Sequence, residues 1–292
     1  MERELWLALY LLARGLDKRW GSWKYSTAEI VAVYFWAVVH DRPTSWAARA
    51  EEWPADLRLD PLPPQSTLSR RLKQADAVEL LTAVEQQLLV LIGLGRQWIH
   101  IIDGKALAVS PISQDPEATW GRGAKGKQKG YKLHAVWNGG PLFTTWSLAP
   151  MNVSEKTVAR QLFESLPGGG YLLGDTQYDA NGLFDAAAQA GFQLVTKKTP
   201  SRGRNGLGHR RQSPSRLRSI ELLATPFGRQ LYRERGAIER QFGVLVSTGG
   251  ILSPLPAWVR RFHRVRHWVQ AKFILNGLRW IKIRQPELLA LA

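Results

Sequence analysis

The chain has 292 residues, with 40 Lys and Arg against 24 Asp and Glu and 45% apolar side chains, so a net charge of +16 accompanies enough hydrophobic material for a core. That excludes a disordered basic tail and allows one large domain or two ordinary ones. The lack of cysteine excludes disulfides, thiolate catalysis and cysteine-type zinc sites.

The longest apolar runs, Leu5–Ala13 and Ile30–Val39, are too short for a membrane span. The first follows Glu2 and Glu4 where a secretion signal would carry cations, so a cytoplasmic protein without membrane contact is expected. Charge is unevenly spread: residues 1–95 hold 11 basic and 12 acidic side chains, residues 96–292 hold 29 and 12. A positive field of that kind suits a polyphosphate partner, although a well-solvated surface has the same composition.

Residues 1–95 read as helical, with helix-length apolar patterns over Thr27–His40, Thr44–Trp53 and Ala75–Gly93 and breakers at Asp41–Pro43 and Pro61–Pro64. Gln65–Gln74 places Arg70 and Arg71 around two core leucines, as the exposed face of a short DNA-reading helix or of any amphipathic surface helix would. Trp6, Trp36, Trp46 and Trp268 fall in helical patterns and are expected in the core rather than on unpaired bases.

From residue 96 short strand-length runs appear: Trp98–Ile102, Tyr131–Trp137, Leu142–Leu148, Tyr171–Gly174 and Phe192–Thr196. Helical patterns over Ser154–Leu166, Asn181–Ala190 and Arg233–Leu245 alternate with the later ones, giving an α/β chain with a mixed sheet flanked by helices. Lys197–Arg218 and Arg260–Arg284 each hold eight Lys or Arg and no acid. The first reads as part of an irregular basic loop over 197–230, the second as a C-terminal helix that docks an apolar stripe (Phe262, Val265, Val269, Phe273) on the domain and turns its cations outward.

Asp103 and Asp175 each follow an apolar strand pattern directly, and a buried carboxylate in such a place caps a backbone, pairs with a cation or holds a metal. Steps of three, four and three residues bring Tyr232, Arg235, Glu239 and Phe242 onto one helical face, where Arg235 and Glu239 could equally be a surface ion pair. Two other acids compete for these roles. Glu234 points away from Glu239 on a helix, and Asp179 lies beyond the strand end, where capping is its expected task. His134 reads as a structural histidine, and none of the six histidines is assigned to a metal. Gly121–Gln128 nearly spells a nucleotide-binding phosphate loop, but it ends in Gln128 where Ser or Thr should meet Mg²⁺ and leads into a strand, so a mobile basic loop near DNA is expected instead.

Taken together, Ile102–Lys105, Lys129–His134, Gly174–Asp179 and Tyr232-x2-Arg235-x3-Glu239, in that order, resemble the DDE transposases of bacterial insertion sequences. The resemblance covers roughly residues 96–280. It implies a ribonuclease H-like catalytic domain over 96–258, a helical DNA-binding region over 1–95, and a basic helix over 259–292 packed on the catalytic domain. It further implies Asp103, Asp175 and Glu239 as catalytic and metal-binding residues holding two Mg²⁺ ions, with Mn²⁺ as a substitute, in a reaction without a covalent enzyme intermediate. Tyr232 and Arg235 would meet phosphates near the scissile bond, with Lys105, Lys132, Arg240, Arg70 and Arg71 as further DNA contacts. Where the family commonly carries lysine seven residues past the glutamate, this chain has Val246, a role that Arg240 or the later basic segment could take. The partners implied are double-stranded DNA, as element ends and target, and a second copy of the chain in the DNA complex, with action at the nucleoid. A transposase-derived regulator without catalysis and a structure-selective nuclease on the same fold stand as alternatives.

Overall fold

Local chemistry sets where the helices begin and end. The computed structural model describes residues 2–18, 23–95, 97–123, 126–199, 207, 211–247, 252 and 254–290. In chain order these form α1 (Glu2–Leu16), α2 (Thr27–Val39), α3 (Thr44–Ala47), α4 (Gln65–Arg71), α5 (Ala75–Ile92), β1 (Ile99–Ala108), β2 (Thr119–Gly123), β3 (Gly126–Trp137), β4 (Thr145–Pro150), α6 (Glu155–Glu164), β5 (Gly170–Leu173), α7 (Asn181–Gln189), β6 (Phe192–Val195), α8 (Pro214–Ala224), α9 (Pro226–Arg233), α10 (Ala237–Ser247) and α11 (Phe262–Arg284). Ser26 starts α2 with a reciprocal cap, its hydroxyl accepting from the Glu29 amide at 3.1 Å while the Glu29 carboxylate accepts from the Ser26 amide at 2.6 Å. Gly93 ends α5 in the left-handed region at φ 60°, where a side chain would be strained. The expected helix Thr44–Trp53 is instead the single turn α3 and a 3-10 turn, Ala50–Glu52.

The chain divides into two compact units, residues 1–93 with 245–292 and residues 94–244. In the first, α2 is buried on nearly every side, and α11 packs with α5, α1 and α2. By contact, residues 259–292 group with residues 1–93, whereas the sequence reading set them apart as a helix on the catalytic domain. The expected apolar stripe is corrected, because His267, Gln270, Lys272 and Asn276 are buried along with the hydrophobic residues of α11. Some of their polar atoms are matched locally: Gln270 donates to the Glu85 carboxylate at 2.9 Å, although its own Oε1 is buried without a hydrogen-bond partner, and the Lys272 ammonium lies 4.1 Å from the Trp268 ring centroid. The cations of α11 therefore belong to the helical unit, which holds 19 basic and 13 acidic residues, leaving 21 and 11 in the sheet unit.

The second unit is built on a six-stranded sheet. β1 runs antiparallel to β3 and parallel to β5, which is parallel to β6. β4 and β2 pair along the edge of β3 away from β1, giving the order β4/β2, β3, β1, β5, β6. That is the mixed, ribonuclease H-like arrangement implied by the resemblance. One sheet face carries Ile102, Val136, Leu172 and Leu194 into a core closed by α6 and α7 through Leu162, Phe163, Leu183 and Phe184. The expected mobile loop at Gly121–Gln128 is a hairpin of β2 and β3, with residues 124–125 outside the described ones. Its glycines serve close strand approach: a Cβ on Gly121 would stand 2.2 Å from the Met151 carbonyl oxygen, and one on Gly130 2.2 Å from that of Leu107. The expected loop 197–230 is helical from Pro214, whose fixed φ suits a helix start, and Arg202, Arg204 and Arg210 lie outside the described residues.

Arg71 also departs from its expected place as an exposed DNA contact. It is 2% exposed and donates to the Tyr25 carbonyl at 3.0 Å, the Thr27 hydroxyl at 3.1 Å and the Asp76 carboxylate at 2.8 Å, because α4 turns it inward beside Leu68 and Leu72. Arg70 is exposed. Removing one partner of a buried ion pair strands the other, so Arg71→Ala should lower unfolding free energy by about 3 kcal/mol. Arg70→Ala should leave it unchanged to within about 0.5 kcal/mol. Urea denaturation of both variants checks this, and equal midpoints would overturn it.

Candidate active site

The site is assembled where β1 and β5 part. Their parallel pairing ends at Ile101↔Leu173, and two residues further along each strand stand Asp103 and Asp175. β1 does not stop there as the sequence suggested, because its other edge stays paired with β3 through Ala108; Asp103 faces Ala135 in that register. Asp103 is thus held in mid-strand, its Oδ1 accepting from the Gly104 amide at 2.8 Å. Asp175 caps a 3-10 turn, Thr176–Tyr178, by accepting from the Gln177 amide at 2.8 Å. Gly174 precedes it with reason: a Cβ there would lie 3.0 Å from the ring of the fully buried Tyr178.

The third element reaches both aspartates. The Tyr232 hydroxyl donates to the Gly174 carbonyl at 3.0 Å, docking the end of α9 against the turn that carries Asp175. A 3-10 turn, Glu234–Gly236, interrupts the helix expected over Arg233–Leu245. Arg235 leaves that turn with Nη2 3.8 Å from Asp103 Oδ2 and Nη1 2.6 Å from Glu239 Oε1. Tyr232, Arg235 and Glu239 therefore converge on the site as the spacing suggested, while Phe242 turns into the core against Phe143 at 5.2 Å between ring centroids.

Burial is the main force on the two aspartates. It pushes Asp103 up to about 6, with Asp175 and Glu239 adding to the rise and the Gly104 amide and Arg235 opposing it. Burial likewise raises Asp175, opposed by the Gln177 amide, and the Glu155 charge raises it further. Burial works against the charge of Arg235, but Asp103, Glu239 and Asp175 outweigh it and hold the guanidinium charged.

The remaining expected contacts scatter around this centre. Strand alternation puts Asp103 and the half-buried Lys105 on one sheet face and Lys132 and His134 on the other, beside Gly104 and α6. Lys132 is buried and donates to Glu155 at 2.6 Å, so it is a paired cation rather than an open DNA contact. His134 is fully buried and pushed down to about 4 by burial, which keeps it neutral, but neither ring nitrogen has a hydrogen-bond partner, so it is not the satisfied structural histidine expected. Arg240 is exposed. Asp179 does not cap a helix: burial alone would raise it, but Arg216, at 2.6 and 2.8 Å, and the Thr199 amide hold it below the usual carboxylate range.

Two residues of the neighbourhood were not singled out from sequence. Glu155, the first residue of α6, brings a fourth carboxylate to Asp175, and the hydroxyl of Tyr178 is buried without a hydrogen-bond partner. The only advance signal was an acid opening a helix directly after a strand, which capping explains equally well.

Asp103 and Asp175 offer hard oxygen donors of the type divalent cations prefer, and their raised affinity for protons reports an unmet demand for positive charge. Glu239 is turned toward Arg235, and among the described residues no three His, Asp or Glu side chains form a group that could hold one ion as they stand. Asp103 and Asp175 have the donor chemistry that a divalent cation needs, while Glu239 stays with Arg235. No described helix is long and apolar enough to cross a membrane.

The Asp103 shift fixes a stability trend. A carboxyl whose folded pKa is raised favours the fold while protonated and opposes it once ionised, so the penalty is absent below pH 4 and full above pH 6. In metal-free protein Asp103→Asn should therefore gain about 2 kcal/mol at pH 7.5 and little at pH 4. Urea denaturation at the two pH values tests this; an equal effect at both would count against it.

A family model for the transposase DDE domain matches residues 95–263, more than half of the chain and all of the elements that carry the site. The family generally uses divalent metal ions. Comparison with curated proteins gives no match. Among solved structures, one similar chain is a piggyBac transposase in a synaptic complex with hairpin DNA, at 10% identity and a TM-score of 0.46, covering 94% of this chain and 71% of that one. On the family match over its sheet unit, the chain belongs to the DDE transposases.

Proposed function

We propose that this transposase binds the terminal inverted repeats of an insertion sequence and catalyses metal-dependent DNA cleavage and strand transfer, with Asp103, Asp175 and Glu239 as its catalytic carboxylates. The observation that carries the reading is the convergence of Asp103, Asp175, Arg235 and Glu239 where the pairing of β1 with β5 ends. Retention of all three acids favours an active enzyme over a DNA-binding regulator.

The three carboxylates would hold Mg²⁺, as two ions, with Mn²⁺ able to replace it. When bound, the metal supplies Lewis-acid activation of a water or 3′-hydroxyl nucleophile and stabilises the leaving oxygen. The protein groups supply position and charge. Arg235 Nε is buried without a hydrogen-bond partner, so the guanidinium has donor capacity left when a phosphate approaches. Its exchange from Glu239 to phosphate would free that carboxylate for metal at the moment DNA arrives. Tyr232, tied to the Gly174 carbonyl, keeps Arg235 in register with Asp175. Lys105 and Arg240 would guide the flanking duplex, with Arg70 contributing on the helical unit, and two copies of the chain would bring two element ends together.

A plasmid carrying the sequences that flank the gene, incubated with the protein and Mg²⁺, should be cut and rejoined. Asp103→Asn, Asp175→Asn and Glu239→Gln should each lower the rate by more than about 100-fold, since even groups behind a metal ligand are worth 10- to 100-fold. Binding of the same DNA should change little. Normal cleavage by any one variant removes that residue from the assignment, and cut ends without joined product would make the protein a nuclease.

A further inference from the structure

Helix α8 is amphipathic in the reverse of the usual sense for a surface helix, with serines inside and aliphatic side chains outside. Ser215 and Ser219 are buried against β6, where the Ser215 carbonyl accepts from the Gln193 side-chain amide at 2.9 Å and the Ser219 hydroxyl from the Thr196 backbone amide at 3.4 Å. At about 100° per residue, Leu217, Ile220, Glu221 and Ala224 share the opposite face. Leu217 is 38% exposed, Ala224 is exposed and Ile220 half-buried. Arg218 and Glu221 flank this face on one side; both are exposed, and neither has an ion-pair partner among the described residues, Arg218 donating instead to the Ser215 hydroxyl at 2.8 Å. The helix is fixed to the catalytic turn by Arg216, which donates to Asp179, four residues past Asp175, at 2.6 and 2.8 Å.

An aliphatic face edged by one base and one acid restricts what can cover it. Phosphates gain nothing from Leu217, Ile220 and Ala224 and are repelled by Glu221. A partner of one charge sign would satisfy Arg218 or Glu221 and oppose the other. A second copy of the same helix, running antiparallel about a two-fold axis that crosses the face near Ile220, satisfies both. Such an axis maps each flank of the helix onto the same flank of its mate, so Arg218 of each copy stands beside Glu221 of the other, while Leu217 meets Ala224 and Ile220 meets its own counterpart. We infer that α8 is a self-association surface through which two copies of the chain pair before DNA is bound. The inference deepens the proposed function, and rests on it for its purpose, by naming the face that joins the two copies; the contact itself requires neither DNA nor metal. Through Arg216, the pairing would set each copy's catalytic turn in a fixed relation to the two-fold axis.

The test is sedimentation equilibrium of the full chain, free of DNA and divalent metal, at concentrations up to about 100 μM, since a contact built on one short helix falls at the weak end of specific interfaces. A monomer–dimer equilibrium is expected. Leu217→Asp should weaken it by at least about tenfold, and Arg218→Glu and Glu221→Arg should each do so by about tenfold, because either swap turns two attractive pairs into repulsive ones. The two charge variants mixed in equal amounts should associate again, as should the chain carrying both swaps, since opposite charges then meet. All three positions are exposed, so unfolding midpoints should stay unchanged. The chain has no cysteine, so Ile220→Cys should give a disulfide-linked dimer on mild oxidation, and Asp185→Cys, exposed on α7, should not. A chain that stays monomeric throughout would overturn the inference, as would a dimer indifferent to Leu217→Asp and to the charge swaps. Either result leaves the carboxylate assignment to the plasmid assay, and a dimer with the expected variant pattern in a protein that cuts no DNA would keep this surface while removing the proposed activity.

Discussion

Everything at the carboxylate site follows from the sheet holding two acids where water is scarce. Asp103 cannot leave, because β1 is locked to β3 on both sides of it, and Asp175 is fixed by the turn it caps. Burial raises the proton affinity of both, with Asp175 adding to the rise at Asp103 and Glu155 to that at Asp175, and the backbone amides from which each accepts offset only part of it. A site of this kind is stable when a cation enters it or when a proton stays.

Arg235 is the chain's internal answer to that strain. It stands at 3.8 Å from Asp103 and 2.6 Å from Glu239, close enough to moderate both charges but bonded closely only to the more exposed one. The 3-10 turn that interrupts the helix gives Arg235 this reach. A regular helix from Tyr232 to Glu239 would keep Arg235 and Glu239 paired along one surface, and the contact with Asp103 would then depend on the helix lying flat against the sheet. The Tyr232 bond to Gly174 performs that docking through the backbone, leaving the arginine side chain to the carboxylates.

Much of this was legible in the sequence because strand ends and helical spacings are local signals. The apolar runs before Asp103 and Asp175, and the steps from Tyr232 to Glu239, located three separate pieces, and the order of strands and helices gave the sheet its class. What escaped was set by tertiary contact. β1 runs beyond Asp103 because β3 continues to pair with it, which no pattern within residues 98–108 reveals. Arg71 and Lys132 looked like surface cations until Asp76 and Glu155, five and 23 residues away, were brought to them. The glycines around residue 121 carry the composition of a loop, yet they answer the close approach of Met151 and Leu107.

In α11 tertiary burial decides where the positive charge sits. A helix with eight cations and no acid over 260–284 reads as an outer face, but its middle is buried and Lys272 is pushed down to about 8 by burial, so the exposed charge is driven to the ends. Arg261, Arg264 and Arg266 are exposed at the N-terminal end. Cations there oppose the helix dipole, which favours acids at that end by roughly 0.3–1 kcal/mol each. A sequence selected for stability alone would place acids at this helix start, and the first turn of α11 has none. The helical unit, with 19 basic against 13 acidic residues, therefore carries its positive charge where a polyanion would relieve it, and the sheet unit carries its own around a pair of acids that a metal would relieve.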